Sequence, residues 1–171
     1  MKWFIKCFKQ YADFSGRARR KEYWFFALFN VIITLILSIG WIGQFGNALM
    51  SDPDEVSVAM LSALGSPFFI IMLVYSLVIF IPGLAVCVRR LHDIGRSGYW
   101  LLGYYGANIV FSMIDTISHN TVVTLITNLI TIALAIMFIV WMFKDSEYGT
   151  NQYGPNPKGE GEEVTENETN E

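Results

Sequence analysis

The sequence predicts an all-α polytopic membrane protein with four transmembrane helices, and three observations support this fold class. Apolar residues occupy 53% of the 171 positions, more than one soluble core of this size needs. Four long stretches contain no charged residue and no histidine. The lysines and arginines cluster in the segments outside these stretches, so the chain is divided into apolar and basic blocks.

The uncharged stretches fix the positions of the predicted spans. About 20 apolar residues cross the ~30 Å hydrocarbon core as a helix, which satisfies its own backbone hydrogen bonds in lipid. The predicted transmembrane domain covers residues 23–143, with spans at 23–43, 67–88, 99–117 and 122–143. The third span is the weakest, since its uncharged stretch ends at Ile114 and contains Gly103, Gly106 and Asn108. A tilted or broken helix, or a tight hairpin with the fourth span, is the alternative for this segment.

The distribution of basic residues predicts that both termini are cytoplasmic. Of the 12 lysines and arginines, seven precede the first span, three lie between the second and third spans, and two follow the fourth. Basic residues near the ends of spans stay in the cytoplasm. The segments that follow the first and third uncharged stretches contain only acidic charge, Asp52, Asp54 and Glu55 in one and Asp115 in the other, which places them outside. Three crossings would put the C-terminal segment outside, against its two basic residues.

The segments outside the spans have distinct patterns. In residues 1–22, aromatic side chains recur at helical spacing opposite lysines, which predicts an amphipathic helix at the membrane interface; a helix packed on the protein's own cytoplasmic loops is the alternative. In the outer loop, Asp52 as N-cap and Pro53 predict a short helix that ends near Leu64. Residues 144–158 form a polar cytoplasmic segment, and the acidic residues 159–171 are predicted to be disordered.

Two basic clusters form the candidate site. One is FSGRARRKEYW and the other is RRLHDIGRSGYW, and the predicted topology brings both to the cytoplasmic face. Arginine forks match phosphate, and glycines allow close backbone approach, so the clusters predict binding of an anionic headgroup or a partner. The alternative is that these arginines only orient the spans. The candidate residues are Arg17, Arg19, Arg20, Arg89, Arg90, His92, Asp93 and Arg96.

The two clusters, together with NQYGPNP at residues 151–157, resemble the domain-of-unknown-function 805 family of YhaH-like small bacterial inner-membrane proteins. The order GRxRRxEYW, RRLHDxGRSGxW, NxYGPxP carries the resemblance, which covers nearly all of the chain up to Lys158. The resemblance implies a multi-pass protein of the bacterial plasma membrane. It implies no established activity, so no catalytic residue is carried over.

The favoured functional hypothesis is a non-enzymatic membrane protein whose basic cytoplasmic face binds anionic lipids, a membrane-protein partner or a second copy of the chain. A small-solute transporter or channel is the first alternative. A path at membrane depth would need charged or polar side chains, and the four apolar stretches contain no charged residue. A membrane enzyme acting on a lipid or phosphate substrate through His92 and Asp93 is the second. Cysteine and histidine lack the spacing of metal ligands, so we expect no metal site. We also expect no cofactor and no nucleic-acid partner.

Overall fold

The computed structural model describes residues 2–50 and 56–161, and six α-helices account for most of these residues. Their bounds are α1 Lys2–Lys9, α2 Arg20–Leu49, α3 Val56–Leu64, α4 Pro67–Asp93, α5 Tyr99–Ser118 and α6 Thr121–Phe143. Within the described residues the only extended pairing is an isolated bridge between Asn151 and Gly154. The protein is therefore all-helical, as the sequence predicts.

Three of the described helices, α2, α4 and α6, are long and apolar enough to cross a membrane. Large apolar side chains remain exposed along them: Ile39 is 71% exposed on α2, Leu77 67% on α4 and Leu129 69% on α6. The free energy of side chains of this kind is lower in hydrocarbon than in water. Helix α5 is 20 residues long but is not among the three, since glycines, Asn108 and Asp115 reduce its apolar character.

The segments outside the spans differ in part from the predicted bounds. Helix α2 starts at Arg20 and α4 continues to Asp93, so both helices extend beyond the uncharged stretches into the basic clusters. Helix α3 ends at Leu64 as expected, while its predicted capping residues, Asp52 and Pro53, lie outside the described residues. Most of the acidic tail, residues 162–171, also lies outside them.

The chain divides into two compact units, and the first comprises the described residues of 1–12 and 24–84. In this unit the aromatic face of α1 packs on α2. The ring of Phe4 lies 5.8 Å from that of Phe26 and 5.2 Å from that of Phe29, and Phe8 lies 6.3 Å from Phe26. This face therefore packs on a long apolar helix, a partner that the sequence did not predict, while its insertion into the headgroup layer stays a prediction.

The proline in α4 leaves a backbone carbonyl that Tyr11, which follows α1, satisfies. Pro82 has no N–H group, so the carbonyl of Val78, four residues earlier, has no intrahelical donor. The hydroxyl of Tyr11 donates a hydrogen bond to this oxygen at 2.7 Å. An unpaired carbonyl is costly in an apolar environment, so Tyr11 stabilises the interrupted turn of α4.

Helices α2 and α4 are also joined by a polar contact within the first unit. The Tyr75 hydroxyl donates to Oδ1 of Asn30 at 2.5 Å, while Nδ2 of Asn30 donates to the carbonyl of Phe26 at 2.7 Å. Hydrogen bonds of this kind hold helices together inside a membrane.

The second unit comprises residues 13–23 and the described residues from 85 onwards, and in it α5 and α6 form an antiparallel hairpin. The turn is two residues long: His119 adopts a left-handed conformation (φ 46°), and the Asn120 side chain caps α6 by accepting from the backbone N–H groups of Val122 and Val123. Tyr104 packs on Phe138 with ring centroids 5.0 Å apart. Near the turn, the hydroxyl of Thr127 lies 2.6 Å from Oδ1 of Asp115.

Candidate functional site

Three segments meet at one end of the second unit: the chain before α2, the last turns of α4, and the chain after α6. Backbone hydrogen bonds connect them. The N–H of Ala18 donates to the carbonyl of Arg89 at 3.0 Å, and the N–H of Glu147 donates to the carbonyl of Asp93 at 2.8 Å. The two predicted basic clusters therefore lie together, as expected, but they are joined by a third segment.

Five charged side chains form a buried ion network at this junction: Arg17, Glu22, Arg89, Arg90 and Asp93. Arg89 pairs with Glu22 at 3.2 Å, and Arg17 pairs with Asp93 at 3.2 Å. Arg90 pairs with the other carboxylate oxygen of Asp93. All five residues are at least 93% buried, so each charge depends on these partners in place of water.

The arginines of the network also bind the segment after α6, residues 144–158, which we call the strap. Arg17 donates to three strap carbonyls, those of Glu147 (2.5 Å), Gly149 (2.7 Å) and Gly154 (3.3 Å). Arg90 donates to the carbonyls of Met142 and Lys144 at the end of α6. A guanidinium group can only donate hydrogen bonds. In Arg17 and Arg90, backbone oxygens accept from N–H groups that do not bind the carboxylate of Asp93.

His92, near the end of α4, packs against the strap. Its ring stacks in parallel on that of Tyr153 with centroids 3.8 Å apart, and its Nδ1 lies 3.2 Å from the carbonyl of Gly16. Asn151 donates to the His92 carbonyl at 3.0 Å. Asp93 instead contacts Arg17, Arg90 and the Ser146 hydroxyl, the last at 2.6 Å. The two side chains thus have separate partners.

Two glycines of the second cluster bring the chain close to itself. Gly95 has φ +74°, a conformation that other residues rarely adopt, and a Cβ there would lie 2.6 Å from Oε2 of Glu147 in the strap. A Cβ at Gly98 would lie 2.7 Å from Cγ1 of Val88. The sequence suggested that these glycines admit a ligand, whereas in the structure they admit the protein's own side chains.

The remaining candidate arginines are more exposed. Arg20 pairs with Asp145 at 2.9 Å, and both side chains are about half exposed (42% and 56%). Lys158 also donates to Asp145 at 2.6 Å, and this hydrogen bond is the main cause that lowers the pKa of the Asp145 carboxyl. The Arg96 guanidinium lies over the rings of Trp100 and Trp141. Arg19 is half-buried.

The site thus contains every predicted residue but distributes them among three environments. Arg17, Arg89, Arg90 and Asp93 lie inside, His92 joins the strap, and Arg19, Arg20 and Arg96 lie nearer the surface. Sequence reasoning missed the strap as the partner of the clusters, although its NQYGPNP motif was the available signal. Within the described part of the chain, no group of three or more Cys, His, Asp and Glu side chains is placed to hold a metal ion.

Comparison with known proteins gives a consistent family match. The family described as "Protein of unknown function (DUF805)" matches residues 11–155. The inner membrane protein YhaI of Escherichia coli (strain K12) is 29% identical over 158 residues, which cover 92% of this chain and 97% of YhaI. The inner membrane protein YhaH of the same strain is 30% identical over 163 residues, covering 92% of this chain and 98% of YhaH. No solved structure matches the chain.

Proposed function

The chain belongs to the DUF805 family of inner membrane proteins, and from this premise we propose that it is a non-enzymatic, four-span protein that binds anionic lipid headgroups. The binding surface is the basic end of the second unit, facing the cytoplasm. The observation that carries the proposal is the division of its basic residues into a buried, internally paired set and an exposed set.

The α5–α6 hairpin supports the fourth span. Helix α6 is long and apolar enough to cross the bilayer, and α5 runs antiparallel beside it from Trp100, next to Trp141, to Asp115, next to Thr127. At 1.5 Å per residue, the 20 residues of α5 measure about 30 Å, the thickness of the hydrocarbon core. An antiparallel partner of this length beside α6 supports a crossing by α5 as well.

The orientation follows from the charges at the two ends of this hairpin. Arg96 and Lys144 flank its open end, whereas the described residues at its turn carry no lysine or arginine. Basic residues are retained in the cytoplasm, so the open end, the strap and the ion network face the cytoplasm. The segment before α2 lies at this same end, because Ala18 and Arg17 contact the end of α4.

The buried arginines stabilise the binding surface, and the exposed basic residues bind the lipid headgroups. Arg17, Arg89 and Arg90 face Glu22 and Asp93, so most of their charge is neutralised within the protein. Lys21 and Lys144 are exposed and Arg19 is half-buried; no carboxylate in the described part of the chain pairs with any of the three. Near an anionic membrane surface each such residue contributes about 1 kcal/mol of binding.

The test compares two triple variants of the full chain in nanodiscs of phosphatidylcholine with or without phosphatidylglycerol. Arg19→Gln, Lys21→Gln and Lys144→Gln together remove three charges; Arg19→Lys, Lys21→Arg and Lys144→Arg keep them. We expect the neutral variant to lose roughly 100-fold in its preference for phosphatidylglycerol, and the charge-conserving variant to match the wild type. An undiminished preference in a folded neutral variant contradicts the proposal.

The polar contacts of the first unit speak against a transport role. Asn30, a polar residue within the apolar helix α2, is bound by Tyr75 of α4 and by its own helix. Such bonds fix helices together and do not offer a moving solute a ligand. The separate partners of His92 and Asp93 likewise argue against an acid/base pair.

A further inference from the structure

We propose that Arg96, held by Trp100 and Trp141, is a specific binding site for the phosphate of a membrane lipid headgroup. This inference rests on the proposed function and names the one side chain that recognises phosphate geometry in addition to charge.

Two indoles contact the guanidinium of Arg96. The central carbon of Arg96 lies 3.9 Å from the ring centroid of Trp141 and 5.7 Å from that of Trp100, and the two indoles pack edge to face at 5.2 Å. Trp141 is buried and is supported by Phe138, whose ring centroid is 5.7 Å away. Cation–π stacking on a rigid ring therefore orients Arg96 before any ligand binds.

The hydrogen-bond donors of Arg96 are available. Stacking uses the faces of the guanidinium, while its five N–H donors lie along its edge. Among the residues that the structure describes, no oxygen accepts a hydrogen bond from this side chain and no carboxylate pairs with it. Arg17 and Arg90 differ, since their donors bind Asp93 and backbone carbonyls. An oriented guanidinium edge with open donors matches two oxygens of one phosphate.

The surroundings indicate a lipid as the source of the phosphate. Arg96 precedes α5, and three of the first four residues of this helix are exposed: Tyr99 by 79%, Trp100 by 48% and Leu102 by 66%. Tyrosine and tryptophan are typical of the membrane interface, where an apolar ring lies in the acyl region and a polar group in the headgroup region. A lipid whose phosphate contacts Arg96 can lay its acyl chains against this apolar surface.

The experiment measures binding of dihexanoyl-phosphatidylglycerol to the purified full chain in a neutral detergent by native mass spectrometry. Arg96→Lys keeps the charge but loses the planar, two-pronged donor, and we expect it to weaken binding about tenfold. Arg20→Lys is the matched control, an arginine that pairs with Asp145, and we expect no change. Trp100→Leu, which leaves the charge and Trp141 in place, is expected to weaken binding about threefold.

The remaining arms separate the possible failures. Inorganic phosphate at the same concentration as the lipid is expected not to compete; equal competition overturns a lipid site in favour of a free-anion site. Wild-type affinity in both Arg96→Lys and Trp100→Leu overturns the inference, and the proposed function then stands or falls on the triple variants alone. If the triple variants show no charge dependence while Arg96→Lys still weakens binding, the proposed function fails and this inference stands.

Discussion

Asp93 is the residue on which the ion network depends most. It has no exposed surface, and its two carboxylate oxygens face Arg17 and Arg90, which come from segments 76 and 3 residues away. Removing one member of a buried pair leaves the other charge without compensation, which is costlier than the pair's own net contribution.

Asp93→Asn is therefore expected to destabilise the protein by about 3–5 kcal/mol, since two buried guanidinium groups lose their shared anion. Denaturation of the purified protein in mixed micelles measures this change. Asp145→Asn provides the matched control: it removes an exposed partner of Arg20, and its effect should stay within about 0–1 kcal/mol. Equal effects of the two substitutions would show that the burial of Asp93 is not energetically important.

Tyr11 offers a second prediction at the level of single residues. Tyr11→Phe removes the donor to the Val78 carbonyl and is expected to cost about 1 kcal/mol of stability. Pro82→Ala restores an intrahelical N–H for the same carbonyl, so in that background Tyr11→Phe should cost clearly less. A double-mutant cycle by the same denaturation assay tests the coupling; additive effects would exclude this role of Tyr11.

Among the elements, the strap differs most from its expected role. A polar segment after the last span was expected to be a simple cytoplasmic extension, but its carbonyls serve as acceptors for Arg17 and it packs Tyr153 on His92. Its attachment stabilises the ends of α4 and α6 because it satisfies buried charges that water does not reach.

Truncation tests this role. A stop after Lys144 removes the strap and should prevent accumulation of stable protein, because Arg17 loses its carbonyl acceptors. A stop after Gly161 keeps the strap and should leave the melting temperature unchanged. Similar expression and thermal stability of both truncated proteins in membranes would contradict the structural role of the strap.

Gly95 tests the contact between the strap and the loop after α4. Gly95→Ala introduces a Cβ 2.6 Å from Glu147 at a positive φ, whereas Gly16→Ala has the same φ of +74° and nothing within 4 Å. Both substitutions pay the conformational cost of about 1 kcal/mol, and only Gly95→Ala also displaces the strap. We expect Gly95→Ala to increase proteolysis of the strap well above the level in Gly16→Ala.

At the scale of the whole molecule, the proposed four-span topology predicts which residues reach the outer side of the membrane. In a variant lacking Cys7 and Cys87, single cysteines at Ser57 and Thr121 should react with a membrane-impermeant maleimide in intact spheroplasts. A cysteine at Thr150 in the strap should react only after permeabilisation. If the cysteine at Thr121 does not react in intact spheroplasts, the turn between α5 and α6 does not reach the outer side and the two helices do not cross the membrane.

Some features of the site were predictable because their cause is local in the sequence. The basic clusters were evident in the sequence as segments rich in arginine, and their convergence followed from the predicted topology. The division of their residues was not predictable: Arg89 and Arg96 carry the same charge in the same cluster, yet one is buried against Glu22 and the other stacks on Trp141. Nothing in their spacing distinguishes them, because their partners lie 67 and 45 residues away.

The helical class, the apolar segments and the separation of basic from apolar blocks are set by the order of the amino acids alone. These properties follow from the transfer of each side chain between water and hydrocarbon, which is nearly additive along the chain. Only the tertiary structure decided which arginines neutralise buried carboxylates, that the strap completes their hydrogen bonds, and that Tyr11 serves the carbonyl left by Pro82. Ion pairs and hydrogen bonds act over about 3 Å, and the fold alone sets which distant residues come that close.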